Sequence, residues 1–118
     1  MNNVEKGKVG EEKAVELLIN KGCKIVTKNY YCVYGEIDII VEKDNWIFFV
    51  EVKYRKNKEY GYAINSISKK KQRSIYKTAL HYITSKNLDC NYRFDVIAID
   101  SDNIEWIENA FWGDEIGF

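Results

Sequence analysis

The sequence contains no proline, one histidine and three cysteines among 118 residues. No Pro-rich or Gly/Ser-rich stretch divides the chain, so we expect a single domain over residues 1–118. Cys23, Cys32 and Cys90 are widely spaced, which fits neither a disulfide framework nor a CxxC zinc site. His81 has no second histidine with which to share a metal ion. The GxxxxGK, GxGxxG and GxSxG motifs are also absent, so the sequence does not support nucleotide-driven or Ser-His chemistry.

Long apolar runs are missing as well. A membrane-spanning helix needs roughly 20 apolar residues, whereas the run Trp46–Val50 stops at Glu51. The opening residues, MNNVEKGKVGEEK, lack the apolar region of a signal peptide. We therefore expect a cytoplasmic protein with no membrane partner. With 46% hydrophobic residues the chain has enough apolar surface to fold.

The formal net charge is zero, but the charges are unevenly distributed. Residues 53–77 contain nine Lys and Arg residues and one acidic residue, whereas acidic residues are in excess on both sides of this segment. A local charge of +8 is typical of a surface that binds a polyanion, and nucleic acid is the obvious candidate. A solvated basic face is the alternative.

Hydrophobic periodicity and turn residues predict seven elements in the order α-β-β-β-α-β-β. This order indicates an α/β fold with three layers built on a central mixed sheet. The expected elements are a helix over 4–21 that ends at Gly22, strands at Lys24–Thr27, GEIDIIVEK and NWIFFVEVKYR, a helix over 66–86 capped by Asn65 or Ser66, and strands at Arg93–Asp100 and Ile104–Ile107.

A hairpin that turns at Asp44-Asn45 would bring acidic side chains together. Strand alternation places Glu36 and Asp38 on one face with Ile40, and the turn places Asp38 opposite Glu51 and Glu36 opposite Lys53. Two like charges opposed on a partly apolar face are destabilising, and Mg²⁺ or Mn²⁺ would neutralise them. The alternatives are a solvated edge pair and a structural cluster neutralised by lysine.

The two predicted helices carry further candidates. Glu11 lies on the apolar stripe of the first helix and is expected to project toward the sheet, whereas Glu12 points away. On the second helix Lys71 and Gln72 lean toward the core, and Lys70 points outward with Arg73. The three lysines at the start of this helix oppose its dipole unless an anion such as phosphate binds there. Snorkelling of Glu11 toward water is the alternative for the first helix.

An ordered set of short motifs resembles the bacterial YraN-like family, which is similar to archaeal Holliday-junction resolvases and belongs to the PD-(D/E)XK nuclease superfamily. The resemblance implies a restriction-endonuclease-like fold and metal-dependent phosphodiester hydrolysis. The motifs are GE (Gly10-Glu11), GEID (Gly35–Asp38), VEVK (Val50–Lys53) with Arg55, KQ (Lys71-Gln72), RFD (Arg93–Asp95) and the closing IENAF.

In this family pattern Asp38 matches the superfamily's aspartate and Glu51–Lys53 its (D/E)XK motif, while Ile37 stands where a proline is usual. The resemblance implies that Asp38, Glu51 and the Val52 carbonyl hold Mg²⁺ or Mn²⁺. Glu11, the helical acid, would complete the metal shell directly or through water. Lys53 would hold or deprotonate the attacking water and stabilise the developing charge.

The expected activity is hydrolysis of DNA phosphodiesters, including those of branched or junction DNA in repair or recombination. A non-catalytic nucleic-acid-binding module on the same fold is the main alternative. A third is a protein that packs its aromatic tail on another subunit, and a homodimer would suit the two-fold symmetry of a four-way junction. The residues expected to contact DNA are Arg55, Lys70, Lys71, Gln72 and Arg73, and the tail aromatics are Trp106, Phe111, Trp112 and Phe118.

Overall fold

A computed structural model describes residues 3–55, 65–100 and 103–111, with side chains from residue 7 onward. The elements follow the predicted α-β-β-β-α-β-β order. They are α1 (Asn3–Asn20), β1 (Lys24–Cys32), β2 (Gly35–Lys43), β3 (Trp46–Tyr54), α2 (Lys69–Ser85), β4 (Asn91–Ile99) and β5 (Ile104–Phe111).

The five strands form one mixed sheet in the order β1-β2-β3-β4-β5. Neighbouring strands are antiparallel except β3 and β4, which are parallel and are connected through α2. A parallel pair needs a long crossover connection, and α2 lies in that connection. Because α1 packs on one face and α2 on the other, the fold is the predicted three-layer α/β arrangement. No helix in the described ranges is both long enough and apolar enough to cross a membrane.

Each face of the sheet has its own apolar core. The two cores meet across β2, β3 and β4, which explains why these strands are nearly continuous in apolar residues. The core under α1 includes Ala14, Leu18, Ile39, Val41, Phe48, Val50, Ile97 and Ile99. The core under α2 includes Ile37, Ile40, Ile47, Phe49, Ile75, Ala79, Phe94 and Val96.

Local chemistry fixes the central hairpin as the sequence predicts. Asp44 and Asn45 have φ angles of 51° and 65°, as a type I′ turn requires. The pairs Ile39 with Val50 and Ile40 with Phe49 follow from that turn. The hairpin register is therefore confirmed over the part of the strands that pair.

The end of α1 is also as predicted. Gly22 has a φ of 89°, and its N–H donates to the Ile19 carbonyl at 3.0 Å. The N–H of Cys23 donates to the Leu18 carbonyl at 3.0 Å. These two bonds define a Schellman motif, which ends the helix at Asn20.

Three predicted boundaries are wrong by three residues or more, and the others differ by at most two. β1 continues past Thr27 to Cys32, because residues 28–32 pair with β2 along the edge of the sheet. The N-cap of α2 is Ser68, not Asn65 or Ser66: its side chain accepts a hydrogen bond from the Lys71 N–H at 3.1 Å. β5 extends past Ile107 to Phe111, since a bulge lets the strand continue.

Candidate active site

The regular pairing of β2 with β3 runs from the turn to Ile39 and Val50. Beyond this point side chains connect the two strands. The Val52 N–H donates to Asp38 Oδ2 at 2.9 Å, and the Asp38 N–H lies 3.4 Å from Glu51 Oε1. The predicted juxtaposition of Asp38 and Glu51 is therefore present, at the point where the ladder ends.

Strand alternation breaks at Asp38. Ile37 and Ile40 both pack in the core under α2, whereas Ile39 packs in the core under α1. A regular strand would place Ile37 and Ile39 on the same face. The prediction that Glu36 and Asp38 share a face with Ile40 is therefore wrong, and the regular pairing ends before it reaches Glu36 and Lys53.

The neighbouring strand is irregular at the same place. Lys28 pairs with Ile39 and Tyr30 pairs with Ile37, but Asn29 between them has a φ of 54°. This left-handed conformation is tolerated by asparagine better than by most residues. The irregularity therefore spans β1 and β2 together.

Glu51 is a buried carboxyl with 7% of its surface exposed. Burial, and after it the nearby charge of Asp38, raises the pKa of Glu51 well above its ordinary value. Lys71 acts in the opposite direction and lowers this pKa. The pair therefore resists carrying two negative charges in the protein alone, and a neighbouring cation would favour ionisation.

Glu11 lies close to Asp38, in a cleft of about 560 Å³ between the start of α1 and the sheet. The cleft is also lined by Asp38, Val52 and Asn29. Glu11 is half-buried and its Oε1 accepts a hydrogen bond from Asn29 Nδ2 at 3.1 Å, whereas Glu12 is exposed. The prediction that Glu11 faces the sheet is confirmed, but Glu12, which was expected to point away, also lines this cleft.

Gly10 controls how closely α1 approaches the sheet at this cleft. A Cβ at this position would lie 2.6 Å from Cε2 of Tyr54 and 3.1 Å from its hydroxyl oxygen. The absence of a side chain therefore allows the helix to place the adjacent Glu11 in the cleft.

The acidic residues do not form one compact cluster. Within the described ranges, no group of three or more His, Cys, Asp or Glu residues is arranged to hold a metal ion. The convergent set is therefore Asp38 with Glu51, close to the Val52 backbone. Glu11 shares its cleft with Asp38 and Val52, and Glu51 does not line that cleft. Two carboxylates supplemented by water are a donor set that Mg²⁺ accepts. Lys53, on the same strand as Glu51, is half-exposed.

The basic face of α2 is placed as predicted except at one residue. Lys70 and Arg73 are exposed and Gln72 is buried. Lys71 was expected to lean toward the core, but its side chain is exposed, although it lies close enough to Glu51 to affect its pKa. The part of the +8 segment over residues 56–64 lies outside the described residues.

Gln72 is held inside the protein by one of its two polar atoms. Its Nε2 donates to the Ile67 carbonyl at 3.0 Å. Its Oε1 is buried and has no hydrogen-bond partner among the described residues. Gln72 therefore fixes the start of α2, and direct contact with DNA stays a prediction for it.

Arg55 has a structural setting that the sequence did not indicate. Its side chain is 9% exposed and forms ion pairs with Asp100 at 3.3 Å and Glu105 at 2.7 Å. The hydrogen bond to Glu105 raises the pKa of Arg55. These contacts connect the end of β3 to β4 and β5, so the geometry does not favour Arg55 as a phosphate contact.

Sequence reasoning missed the role of Asp95 in the RFD motif. Asp95 is completely buried. It accepts hydrogen bonds from Arg93 at 3.0 Å, Trp106 Nε1 at 2.8 Å and the Asn109 N–H at 2.9 Å. The bond to Asn109, whose φ is 57°, holds the bulge that extends β5. The signal in the sequence was the pair of charged residues, Arg93 and Asp95, in a strand that is otherwise mostly apolar.

The fold and the site together define a three-layer α/β protein with a carboxylate pair at the end of its central hairpin. Residues 10–99 match the model of "Uncharacterised protein family UPF0102", and this range covers every residue of the candidate site. The chain belongs to the UPF0102 family.

Individual relatives are similar over nearly their whole length. A UPF0102 protein of Fusobacterium nucleatum is 44% identical over 119 residues, which cover 100% of both chains. A UPF0102 protein of Sulfurihydrogenibium is 49% identical over 112 residues, or 94% of this chain and 97% of the relative. A third, from Clostridioides difficile, is 47% identical over 114 residues, or 94% and 100%.

Proposed function

We propose that this protein is a cytoplasmic, Mg²⁺-dependent nuclease that hydrolyses DNA phosphodiesters, with branched DNA among its substrates. The observation that carries the proposal is the pairing of Asp38 with Glu51. Each contributes a hydrogen bond that replaces the regular ladder, and burial together with Asp38 raises the pKa of Glu51. An arrangement that is electrostatically costly in the protein alone is expected where a cation binds.

The donor chemistry fits Mg²⁺ or Mn²⁺. Asp38, Glu51 and the Val52 carbonyl are the oxygen ligands that would hold the ion, and Glu11 would act through water from its place in the cleft. A bound divalent ion supplies Lewis acidity and a water of lowered pKa. Lys53 would hold the attacking water and stabilise negative charge on the phosphate.

The exposed basic residues of α2 provide the DNA contacts in this proposal. Lys70, Lys71 and Arg73 are exposed on a helix that contains no acidic residue. Contacts of this kind bind backbone phosphates and position the substrate without reading its sequence. A homodimer would present two such sites, which suits a substrate with two-fold symmetry.

A non-catalytic nucleic-acid-binding module is the second candidate. Two observations favour it. Glu11 already accepts a hydrogen bond from Asn29, and the described residues contain no cluster of three acidic or other metal-ligating side chains. Such a module would retain the basic face of α2 and bind DNA without cleaving it.

Cleavage assays separate these two functions. Duplex, single-stranded, flap and four-way junction DNA are each incubated with the protein in Mg²⁺ and, in a parallel reaction, in EDTA. We expect Mg²⁺-dependent cleavage by the wild type and none by Asp38→Asn. Glu36 is an exposed acid on the same strand, and Glu36→Gln should cleave as the wild type does. DNA binding by the wild type without cleavage of any of the four substrates would instead establish the binding module.

Melting curves test the metal site independently of DNA. In Asp38→Asn the amide oxygen can still accept the hydrogen bond from Val52, and the charge that opposes ionisation of Glu51 is removed. We expect the metal-free variant to be as stable as the wild type or more stable, and Mn²⁺ to raise the melting temperature of the wild type alone. A destabilised variant, with no Mn²⁺ effect on either protein, would indicate a structural cluster with Lys53.

The role of Glu11 has a matched control on the same helix. Glu11→Gln should impair Mg²⁺-dependent cleavage with little loss of stability, because the side chain faces the cleft without supporting the core. Glu16→Gln changes an exposed acid of the same helix that does not line the cleft, and it should have almost no effect. Equal loss of cleavage in the two variants would contradict a site role for Glu11.

A further inference from the structure

A second cleft lies between the tip of the β1–β2 hairpin and the C-terminal half of α2. Its volume is about 670 Å³, and it is lined by Tyr34, Lys77, Leu80, His81, Thr84 and Ser85. Tyr34 is 51% exposed and Leu80 is 37% exposed. An aromatic ring, an aliphatic side chain and an imidazole therefore meet at a surface that the carboxylate site does not use.

The hairpin tip is fixed on α2 by contacts of its backbone. The Ser74 hydroxyl donates to the Tyr34 carbonyl at 2.6 Å. The next residue, Gly35, has a φ of 152°, and a Cβ there would collide with the same hydroxyl. Only glycine allows this close approach, so the position of the Tyr34 backbone is determined before any ligand binds.

The imidazole in the cleft is also oriented. Tyr30 Oη and His81 Nδ1 share a hydrogen bond of 2.8 Å. The ring of Tyr34 stands at 64° to the imidazole, with 6.3 Å between the ring centroids. The two rings therefore form two walls of a preformed cleft with a polar edge, the kind of site that suits a flat, partly polar ligand.

A basic stripe leads along α2 to this cleft. Lys70, Arg73 and Lys77 follow one another at helical spacings of three and four residues, and His81 continues the same face. All four are exposed, and α2 contains no acidic residue. The occupant of this surface should therefore carry several negative charges next to a planar group.

We propose that this cleft binds an unpaired nucleobase, with the phosphates of the same strand lying along Lys70, Arg73 and Lys77. The base stacks on Tyr34, and His81 and Thr84 provide hydrogen-bonding groups for its edge. Stacking on an aromatic side chain accepts every base, so the contact selects unpaired strands without selecting sequence. The inference rests on the proposed function and narrows its substrates to DNA with unpaired nucleotides, such as a flap or an open junction.

A second copy of this chain is a less suitable occupant. In a two-fold contact through this surface, the basic stripe of one copy would approach that of the other, and like charges would repel. Nucleic acid supplies both the negative charge and the planar group that the surface lacks.

Binding measurements in EDTA test the inference without cleavage. A duplex with a single-stranded extension that carries one 2-aminopurine is compared with a blunt duplex of equal length. We expect Tyr34→Ala to weaken binding to the extended DNA by about 5- to 150-fold, as expected for loss of one stacked base, and to leave blunt-duplex affinity unchanged. Tyr34→Phe should retain the affinity.

Tyr31→Ala is the matched control. Tyr31 is on the same hairpin and is 77% exposed, but it does not line the cleft, so its replacement should change neither affinity. If Tyr31→Ala and Tyr34→Ala weaken binding to the extended DNA equally, the cleft does not provide a specific contact to a base, and the proposal is overturned.

The remaining outcomes distinguish this inference from the proposed function. Wild-type cleavage together with unchanged DNA affinity in Tyr34→Ala would overturn the base-binding cleft alone. Absence of any DNA binding by the wild type would overturn both. A dimer in sedimentation experiments that Tyr34→Ala dissociates, with DNA affinity unchanged, would assign the cleft to an interface between two copies.

Discussion

Replacing Glu51 with glutamine should make the metal-free protein more stable at neutral and alkaline pH. Glu51 is 7% exposed, and its ordinary pKa of 4.5 is raised well above that value by burial and by Asp38. A glutamine has nearly the same shape and no charge. Its amide oxygen can also take the place of Oε1 beside the Asp38 N–H.

The sign of the pH dependence follows from this raised pKa. Below about pH 4.5 Glu51 is protonated in the folded and unfolded states and contributes no difference. As the pH rises, the unfolded chain loses the proton first, so the folded state binds more protons and the free energy of unfolding falls. The fall continues until the pH exceeds the folded-state pKa.

The size of the effect can be bounded from the geometry. Glu51 Oε1 lies 3.4 Å from the Asp38 N–H, and two unit charges about 5 Å apart repel by roughly 3 kcal/mol at an effective dielectric constant near 20. Attraction to Lys71 offsets part of this repulsion, whereas burial adds to the cost. We therefore expect Glu51→Gln to raise the free energy of unfolding by about 1–3 kcal/mol at pH 8.

Urea unfolding of the wild type and Glu51→Gln from pH 4 to pH 9 in EDTA measures this difference. The two curves should converge at the acidic end and separate as the pH rises. Glu36→Gln, which changes an exposed acid on β2, is the control and should follow the wild type. A Glu51→Gln variant that is less stable at every pH, or that parallels the wild type, would refute an electrostatic cost at this position.

Two further predictions concern the basic helix and the position of α1. Changing Lys70 and Arg73 together to alanine should reduce the slope of log affinity against log salt by roughly one to two units, because each phosphate contact on duplex DNA contributes about 0.9 units. An unchanged slope would mean that DNA binds to another surface of the protein. In urea unfolding Gly10→Ala should be destabilising because its Cβ meets Tyr54, whereas Gly7→Ala, where no atom lies within 4 Å, should stabilise by up to about 1 kcal/mol through helix propensity.

The hairpin and the facing of α1 were predictable because local rules determine them. Asp44-Asn45 is a turn signal whose two positive φ angles are those of a type I′ turn, and this fixes which residues pair across β2 and β3. The 3.6-residue period of α1 separates Glu11 from Glu12 with no knowledge of the sheet. Interactions between neighbours in sequence therefore sufficed for these features.

A contact between distant segments and a local capping contact determined two features that the sequence did not predict. Arg55 lies in a strongly basic segment, but it meets Asp100 and Glu105, which are 45 and 50 residues away. The boundary of α2 depended on a choice among nearby capping residues, and the hydrogen bond from Lys71 to Ser68 decides it. Charge counting and capping preferences do not contain this information.

The break in alternation at Asp38 is the most informative of these differences, because it connects the stability of the sheet with the proposed chemistry. Had β2 continued its regular alternation, Asp38 would have faced the core under α2 with Ile40, and the cleft would have lost the carboxylate that the sheet contributes. Instead Asp38 lines that cleft, and its Oδ2 accepts a hydrogen bond from the Val52 N–H. The hydrogen bond that closes the sheet is thus made by the side chain proposed to bind the metal ion. The charge of Asp38 and its hydrogen bond can therefore be removed separately. Asp38→Asn removes the charge and keeps an oxygen that can accept the hydrogen bond, whereas Asp38→Ala removes both.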